Sequence, residues 1–143
     1  MIKRRTLHRE PTDVATRMLI VYRAIDALTP DPANPRCHSR KQIRQIAESI
    51  RVFGFNVPIL IDREGKIIAG HDRLLACREL GITEVPTLCL DHLTQAQARA
   101  FMIADNRLTE IASWDDQLLA QQLKELSLSG LDLRLPRIGG HFC

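Results

Sequence analysis

Ile67-Ile68-Ala69-Gly70-His71-Asp72-Arg73-Leu74-Leu75-Ala76 is the stretch that decides how this chain is read. Lys66 to Ala69 predicts a short buried strand. Gly70 breaks it, and a helix is expected over residues 71–80, closed by Gly81. The first N–H groups of a helix have no partners inside it and carry the positive end of its dipole. A phosphate placed there meets donors that are already oriented. Gly70 has no Cβ, so the backbone can come close to a ligand. Arg73 can add a forked pair of donors to a phosphate oxygen. His71 can donate to a phosphate or act as acid or base near neutral pH. Asp72 can orient Arg73 or help hold Mg²⁺. His71 and Asp72 are therefore the candidate catalytic residues. A plain structural reading fits the same letters: a glycine break, an acid that suits the dipole, and Arg73 paired with Asp72 or Glu64.

Upstream, Val57 to Ile61 is a second apolar run, and Asp62-Arg63-Glu64-Gly65 between the two runs predicts a hairpin. Before that, Ser39 followed by Gln42 has the form of a capping box. The helix it opens repeats Ile43, Ile46, Ala47, Ile50 and Phe53 at helical spacing, and Gly54 stops it. Pro30, Pro32 and Pro35 impose a stiff extended loop, and Met18 to Ile25 reads as a strand. Downstream, Glu84 to Leu90 is another strand. Thr94 caps a helix running to about Arg107, with Phe101, Met102 and Ile103 as its apolar face. Ser113 with Asp116 opens a last helix through about Leu126. The order β, α, β, β, α, β, α, α predicts an α+β (mixed α/β) domain, a small mixed sheet with about four helices.

The 143 residues suit one core, and a domain of this size buries about two-thirds of its unfolded surface. Hydrophobic residues at 45% and charged residues at 26% are ordinary for a globular chain. No apolar run approaches the roughly 20 residues of a membrane span, and no signal-peptide core follows the basic start. A cytoplasmic location and no membrane partner are expected. The expected organisation is a basic arm over 1–16, a folded domain over 17–126 and an irregular tail over 127–143. Cys37, Cys77, Cys89 and Cys143 show no CxxC spacing and predict free thiols, and Cys89 with His92 is too few ligands for zinc.

The net charge of +3 is modest, but its distribution is uneven. Lys3, Arg4, Arg5, His8 and Arg9 form one cluster; Arg36, His38, Arg40, Lys41 and Arg44 form another. Each reads as a solvated face or as a salt-sensitive phosphate contact. Arg40, Lys41 and Arg44 are the candidate DNA contacts. Two further polar knots stand out. Asp105-Asn106 offers hard oxygen ligands for Mg²⁺, or else a helix end with Arg107 suiting the dipole. Asn34-Pro35-Arg36 sets an arginine on a rigid loop, which lowers the entropic cost of holding a ligand.

In order and approximate spacing, five pieces resemble the ParB N-terminal domain of the ParB/sulfiredoxin superfamily: Asn34-Pro35-Arg36, Ser49 to Phe55, Val57 to Asp62, Ala69 to Arg73, and Ala104 to Arg107. The resemblance covers roughly residues 18–126 and is closest in flavour to ParB-like domains associated with DNA methyltransferases, plasmids and phages. It implies a ParB/sulfiredoxin-like fold that binds CTP or ATP with Mg²⁺, and a role in DNA partition, modification or phage and plasmid maintenance. Partition proteins of this family bind CTP and Mg²⁺ and act as slow CTPase switches on DNA. The family's Gly-Glu-Arg-Arg motif falls on Gly70-His71-Asp72-Arg73, where the glycine and the last arginine match. Its Glu-Asn-x-x-Arg motif falls on Asp105 to Thr109, with Thr109 in place of the arginine. The implied phosphate site is Gly70, His71, Asp72, Arg73, Arg36 and Asn34, with Asp105 and Asn106 at the metal. The alternatives are a nucleotide-dependent enzyme of the superfamily, a weak NTPase or small-molecule kinase, and a DNA-binding adaptor without nucleotide chemistry. Expected partners are a nucleotide, DNA and a second copy of the chain. Sulfiredoxin chemistry is rejected, because His71 stands where that family needs cysteine. The family's helix-turn-helix region is not expected within these residues.

Overall fold

A computed structural model of the chain describes residues 18–131. Among these residues are four strands: β1 Ile20–Ala24, β2 Ile59–Ile61, β3 Ile67–Ala69 and β4 Glu84–Cys89. Four α-helices accompany them: α1 Arg40–Phe53, α2 His71–Leu80, α3 Gln95–Ile111 and α4 Asp116–Leu128. A short 3₁₀ turn, Ile25–Ala27, follows β1. The expected α+β class, with a small mixed sheet and four helices, is what forms.

The sheet order is β1-β4-β2-β3. β1 pairs antiparallel with β4, β4 parallel with β2, and β2 antiparallel with β3 across the expected hairpin. Ile67 and Ile68 are both buried although successive strand side chains point to opposite faces. Ile67 packs with Ile59, Ile61, Leu74 and Val85 on one side. Ile68 packs with Leu90 and Met102 on the other. A strand covered on both faces reads as a continuous apolar run, which is why β3 carries no alternation. Ile43 and Ala47 of α1 seat against Ala76 of α2, extending the first layer.

Several boundaries differ from expectation for local reasons. The first strand is shorter than Met18–Ile25: the Ile25 N–H turns to the Thr83 carbonyl at 2.9 Å, and the chain dives so that Leu28 is buried. β2 starts at Ile59 rather than Val57. Pro58 has no N–H for a ladder, and its carbonyl is taken by a side chain from α2. The capping box at α1 is half formed. Ser39 Oγ accepts the Gln42 N–H at 3.1 Å, but Gln42 Oε1 lies 3.1 Å from His38 Nδ1 instead of returning to the backbone. α4 is capped by Asp115, not Ser113; Asp115 Oδ1 accepts the Leu118 N–H.

α3 carries the largest correction. It runs four residues beyond Arg107, so Asp105, Asn106 and Arg107 lie inside the helix rather than at its end. Its expected apolar face is not one face either. Adjacent helical residues are about 100° apart, so of Phe101, Met102 and Ile103 only Met102 can point at the sheet. Met102 is buried, while Phe101 and Ile103 are exposed. Phe53, placed on the buried face of α1, is likewise exposed.

Among the described residues, no helix is long and apolar enough to cross a membrane. Cys37, Cys77 and Cys89 are free thiols; Cys143 and the basic arm lie outside the described residues. α4 continues to Leu128, so the expected tail begins within a helix.

Candidate functional site

Three knots from distant parts of the chain meet in one cleft of about 360 Å³. Asn34 and Arg36 reach it from the proline-rich loop, Gly70 to Arg73 from the β3–α2 junction, and Asp105 and Asn106 from α3. One hydrogen bond ties the outer pieces, Arg36 Nη1 donating to Asn106 Oδ1 at 3.2 Å, while within the loop the Arg36 N–H donates to Asn34 Oδ1 at 3.2 Å. Asn106 can present this oxygen to the cleft only because it is mid-helix with its side chain turned inward. A helix-capping Asn would be folded back on its own backbone.

Gly70 adopts φ 103°, ψ 22°, a left-handed conformation that other residues rarely take. A Cβ there would sit 2.9 Å from Arg73 Nη2 and 3.2 Å from Ile59 Cγ1. Glycine thus serves both the sharp strand-to-helix turn and the close passage of the Arg73 guanidinium. Arg73 Nη2 donates to the Pro58 carbonyl at 2.9 Å. The alternative pairing of Arg73 with Asp72 or Glu64 does not form; among the described residues its only side-chain bond is to that carbonyl. Its Nε–H is buried with no acceptor. An orphan donor on a buried cation is costly. Burial pulls the guanidinium below its ordinary value; Asp72 and Asp105 oppose that shift and Arg36 adds to it.

The helix start is partly occupied by its own acid. Asp72 Oδ1 accepts the Arg73 N–H at 2.9 Å. Among the described residues, neither the His71 nor the Asp72 amide donates to a side chain or to a backbone carbonyl outside the helix. His71 is half-buried, and its Nε2 accepts the Asp31 N–H at 3.0 Å. An accepting Nε2 leaves the ring proton on Nδ1. Desolvation lowers the His71 pKa from its ordinary 6.5, with Asp31 and Asp72 opposing the shift and His38 adding to it. Both candidate catalytic side chains are therefore engaged with backbone N–H groups.

Asp105 and Asn106 line the cleft side by side, but Asn106 Oδ1 already accepts from Arg36. No group of three or more His, Cys, Asp or Glu is arranged to hold a metal among the described residues. Mg²⁺ commonly takes one or two protein carboxylates and completes its shell with phosphate oxygens and water; Asp105 is the carboxylate available at this end of the cleft. Arg40, Lys41 and Arg44 are exposed on the first turns of α1, outside the cleft. No acid balances Arg40 and Lys41 there, so the helix opens with two cations against its dipole.

Sequence reasoning missed two members of the site. The Pro58 carbonyl and the Asp31 N–H are backbone groups, and no side-chain pattern reveals them. A larger cleft of about 540 Å³ lies across β3, between the Asp62–Lys66 turn and the start of α3. Its charges are of mixed sign, and Asp31, which lines it, joins it to the smaller cleft through the bond to His71.

The family model for the ParB N-terminal domain matches residues 11–107. The chain is 43% identical over 84 residues to the ParB-like nuclease domain-containing protein YnaK of Escherichia coli (strain K12), covering 59% of this chain and 97% of that protein. It is 31% identical over 86 residues to the chromosome-partitioning protein ParB of Myxococcus xanthus (strain DK1622), covering 57% of this chain but 29% of the partition protein. Among solved structures, the C-terminally truncated ParB of Caulobacter crescentus, complexed with CTP-gamma-S, superimposes with a TM-score of 0.66 at 24% identity, over 75% of this chain and 62% of that one. That likeness is one of fold.

Proposed function

The chain belongs to the ParB N-terminal domain family, and from that premise we propose that it is a nucleotide-binding module whose 360 Å³ cleft takes the phosphates of CTP or ATP together with Mg²⁺. The observation that carries this reading is the convergence of three distant segments, with Arg36 and Arg73 among their residues, on one cleft. In the proposal the amides of His71 and Asp72 face the phosphates, Arg73 and Arg36 supply charge, and Asn34 holds Arg36 in place. Asp105 and Asn106 offer oxygens to Mg²⁺. The Caulobacter relative in complex with CTP-gamma-S supports a cytidine nucleotide as the first ligand to try.

The setting proposed is DNA partition, modification or phage and plasmid maintenance in the cytoplasm, as a ParB-type domain spanning residues 17–126. Arg40, Lys41 and Arg44 would meet DNA phosphates in a salt-sensitive, sequence-independent way. Binding is favoured over base catalysis at His71 by one observation: its Nε2 accepts the Asp31 N–H, so the neutral ring has no free lone pair to take a proton. The chain spans under a third of the Myxococcus protein, so the roles of whole partition proteins stay outside the proposal.

Calorimetric titration with CTP, ATP and GTP in Mg²⁺ tests it. Binding of one nucleotide, weakened by ~1.5–3 kcal/mol in Arg73→Ala, is the expected result, since that is the range for a charged hydrogen bond. No binding of any nucleotide, or equal affinity in the variant, refutes the site. Assaying phosphate release and plasmid cleavage in the same samples separates a binding module from an NTPase or a nuclease.

A further inference from the structure

Four hydrogen bonds run in series from the start of α2 to the middle of α3. His71 Nε2 accepts the Asp31 N–H at 3.0 Å. The Asp31 carbonyl accepts the Asn34 N–H at 3.1 Å. Asn34 Oδ1 accepts the Arg36 N–H, and Arg36 Nη1 reaches Asn106 Oδ1, both at 3.2 Å. Only the first of these depends on a group that changes its hydrogen-bonding role near neutral pH. Pro30, Pro32 and Pro35 stiffen the intervening segment, so fixing Asp31 also fixes where Arg36 arrives.

We propose that His71 is a positioning residue rather than a phosphate ligand or a base: as a neutral imidazole protonated on Nδ1 it anchors the Asp31–Arg36 loop over the cleft, and protonation of Nε2 releases that anchor and shifts Arg36. An imidazolium has donors on both nitrogens and cannot accept the Asp31 N–H. The groups facing the ring set the range of the switch. Asp31 and Asp72 favour the charged ring and His38 disfavours it. The Asp31 carboxylate is itself held by the Ala33 N–H at 2.9 Å and by Lys66 at 3.5 Å. Arg36, Arg73 and Asp105 line the same cleft. Half-burial of the ring favours the neutral, anchoring form, in keeping with the lowered His71 pKa. The anchor itself is independent of what the cleft binds; only its functional consequence rests on the nucleotide reading.

Amide hydrogen exchange at Asp31, read by NMR without ligand, tests the anchor directly. His71→Ala is expected to speed exchange about fivefold, equivalent to ~1 kcal/mol for one lost hydrogen bond. His71→Gln, whose amide oxygen can reach where Nε2 sits, is expected to restore protection to within about twofold. Protection in the wild type should fall as pH drops through the histidine range, and in His71→Gln it should not. Equal exchange in all three proteins, or a wild-type pH profile shared by His71→Gln, overturns the proposal. If Asp31 behaves as expected while no variant binds CTP with Mg²⁺, the anchor stands and the nucleotide reading falls.

Discussion

Replacing Gly70 by alanine perturbs the junction on which the cleft is built. The backbone at φ 103° disfavours any residue with a Cβ, by about 1–2 kcal/mol. The added methyl would also meet Arg73 Nη2 at 2.9 Å, closer than real Cβ atoms come to anything. Ile59 Cγ1 at 3.2 Å blocks the retreat on the core side, so the guanidinium must give way. Its bond to the Pro58 carbonyl is then weakened or lost, at about 1–2 kcal/mol. The expected total is about 2–4 kcal/mol, large against the ~5–15 kcal/mol of a whole domain. Urea unfolding followed by circular dichroism should show the midpoint falling at unchanged slope. Much of the steric part vanishes if Arg73 is already truncated. Gly70→Ala in an Arg73→Ala background should therefore cost less than in the wild type, with a coupling of ~1 kcal/mol. A Gly70→Ala variant within ~0.5 kcal/mol of wild type, or strict additivity with Arg73→Ala, would refute this account of the junction.

Two other outcomes follow from burial. The folded His71 pKa lies below its ordinary 6.5, so the ring's contribution to stability is complete above that value and is lost as pH falls through the folded one. Lowering the pH from about 7.5 to about 5.5 should reduce the urea midpoint more for wild type than for His71→Gln, and equal losses would count against the assignment. Desolvation pushes the buried Cys77 thiol up to about 11, while Cys37 is exposed. At pH near 8 a thiol reagent should label Cys37 quickly and Cys77 only on unfolding, which peptide mapping of the labelled protein decides.

What the sequence made legible was whatever depends on period and punctuation. The Gly70 break and the Gly81 stop gave the end of β3 and both bounds of α2, because glycine is the residue that tolerates the positive φ found at both ends of the helix, while β3 begins at Ile67, one residue later than expected. The convergence of Arg36, Gly70–Arg73 and Asp105–Asn106 was suggested by resemblance, not by spacing, since nothing local says that residues 36 and 106 touch. The end of α3 was misplaced because Asp-Asn-Arg looks like a cap, and the signal that overrode it is weak: Leu108 and Ile111 continue the helix while exposed. The contacts that fix His71 and Arg73 were invisible because their partners are main-chain groups of Asp31 and Pro58.

The central claim is that phosphate settles at the β3–α2 junction. Mapping amide shift changes on the isotope-labelled chain as CTP and Mg²⁺ are added tests it most directly. The account predicts that the amides of Gly70, His71 and Asp72 move first, with Arg36 and Asn106 moving with them. Shifts confined to the Asp62–Lys66 turn and the first turns of α3, with residues 70–73 unmoved, would place the ligand in the other cleft and contradict it.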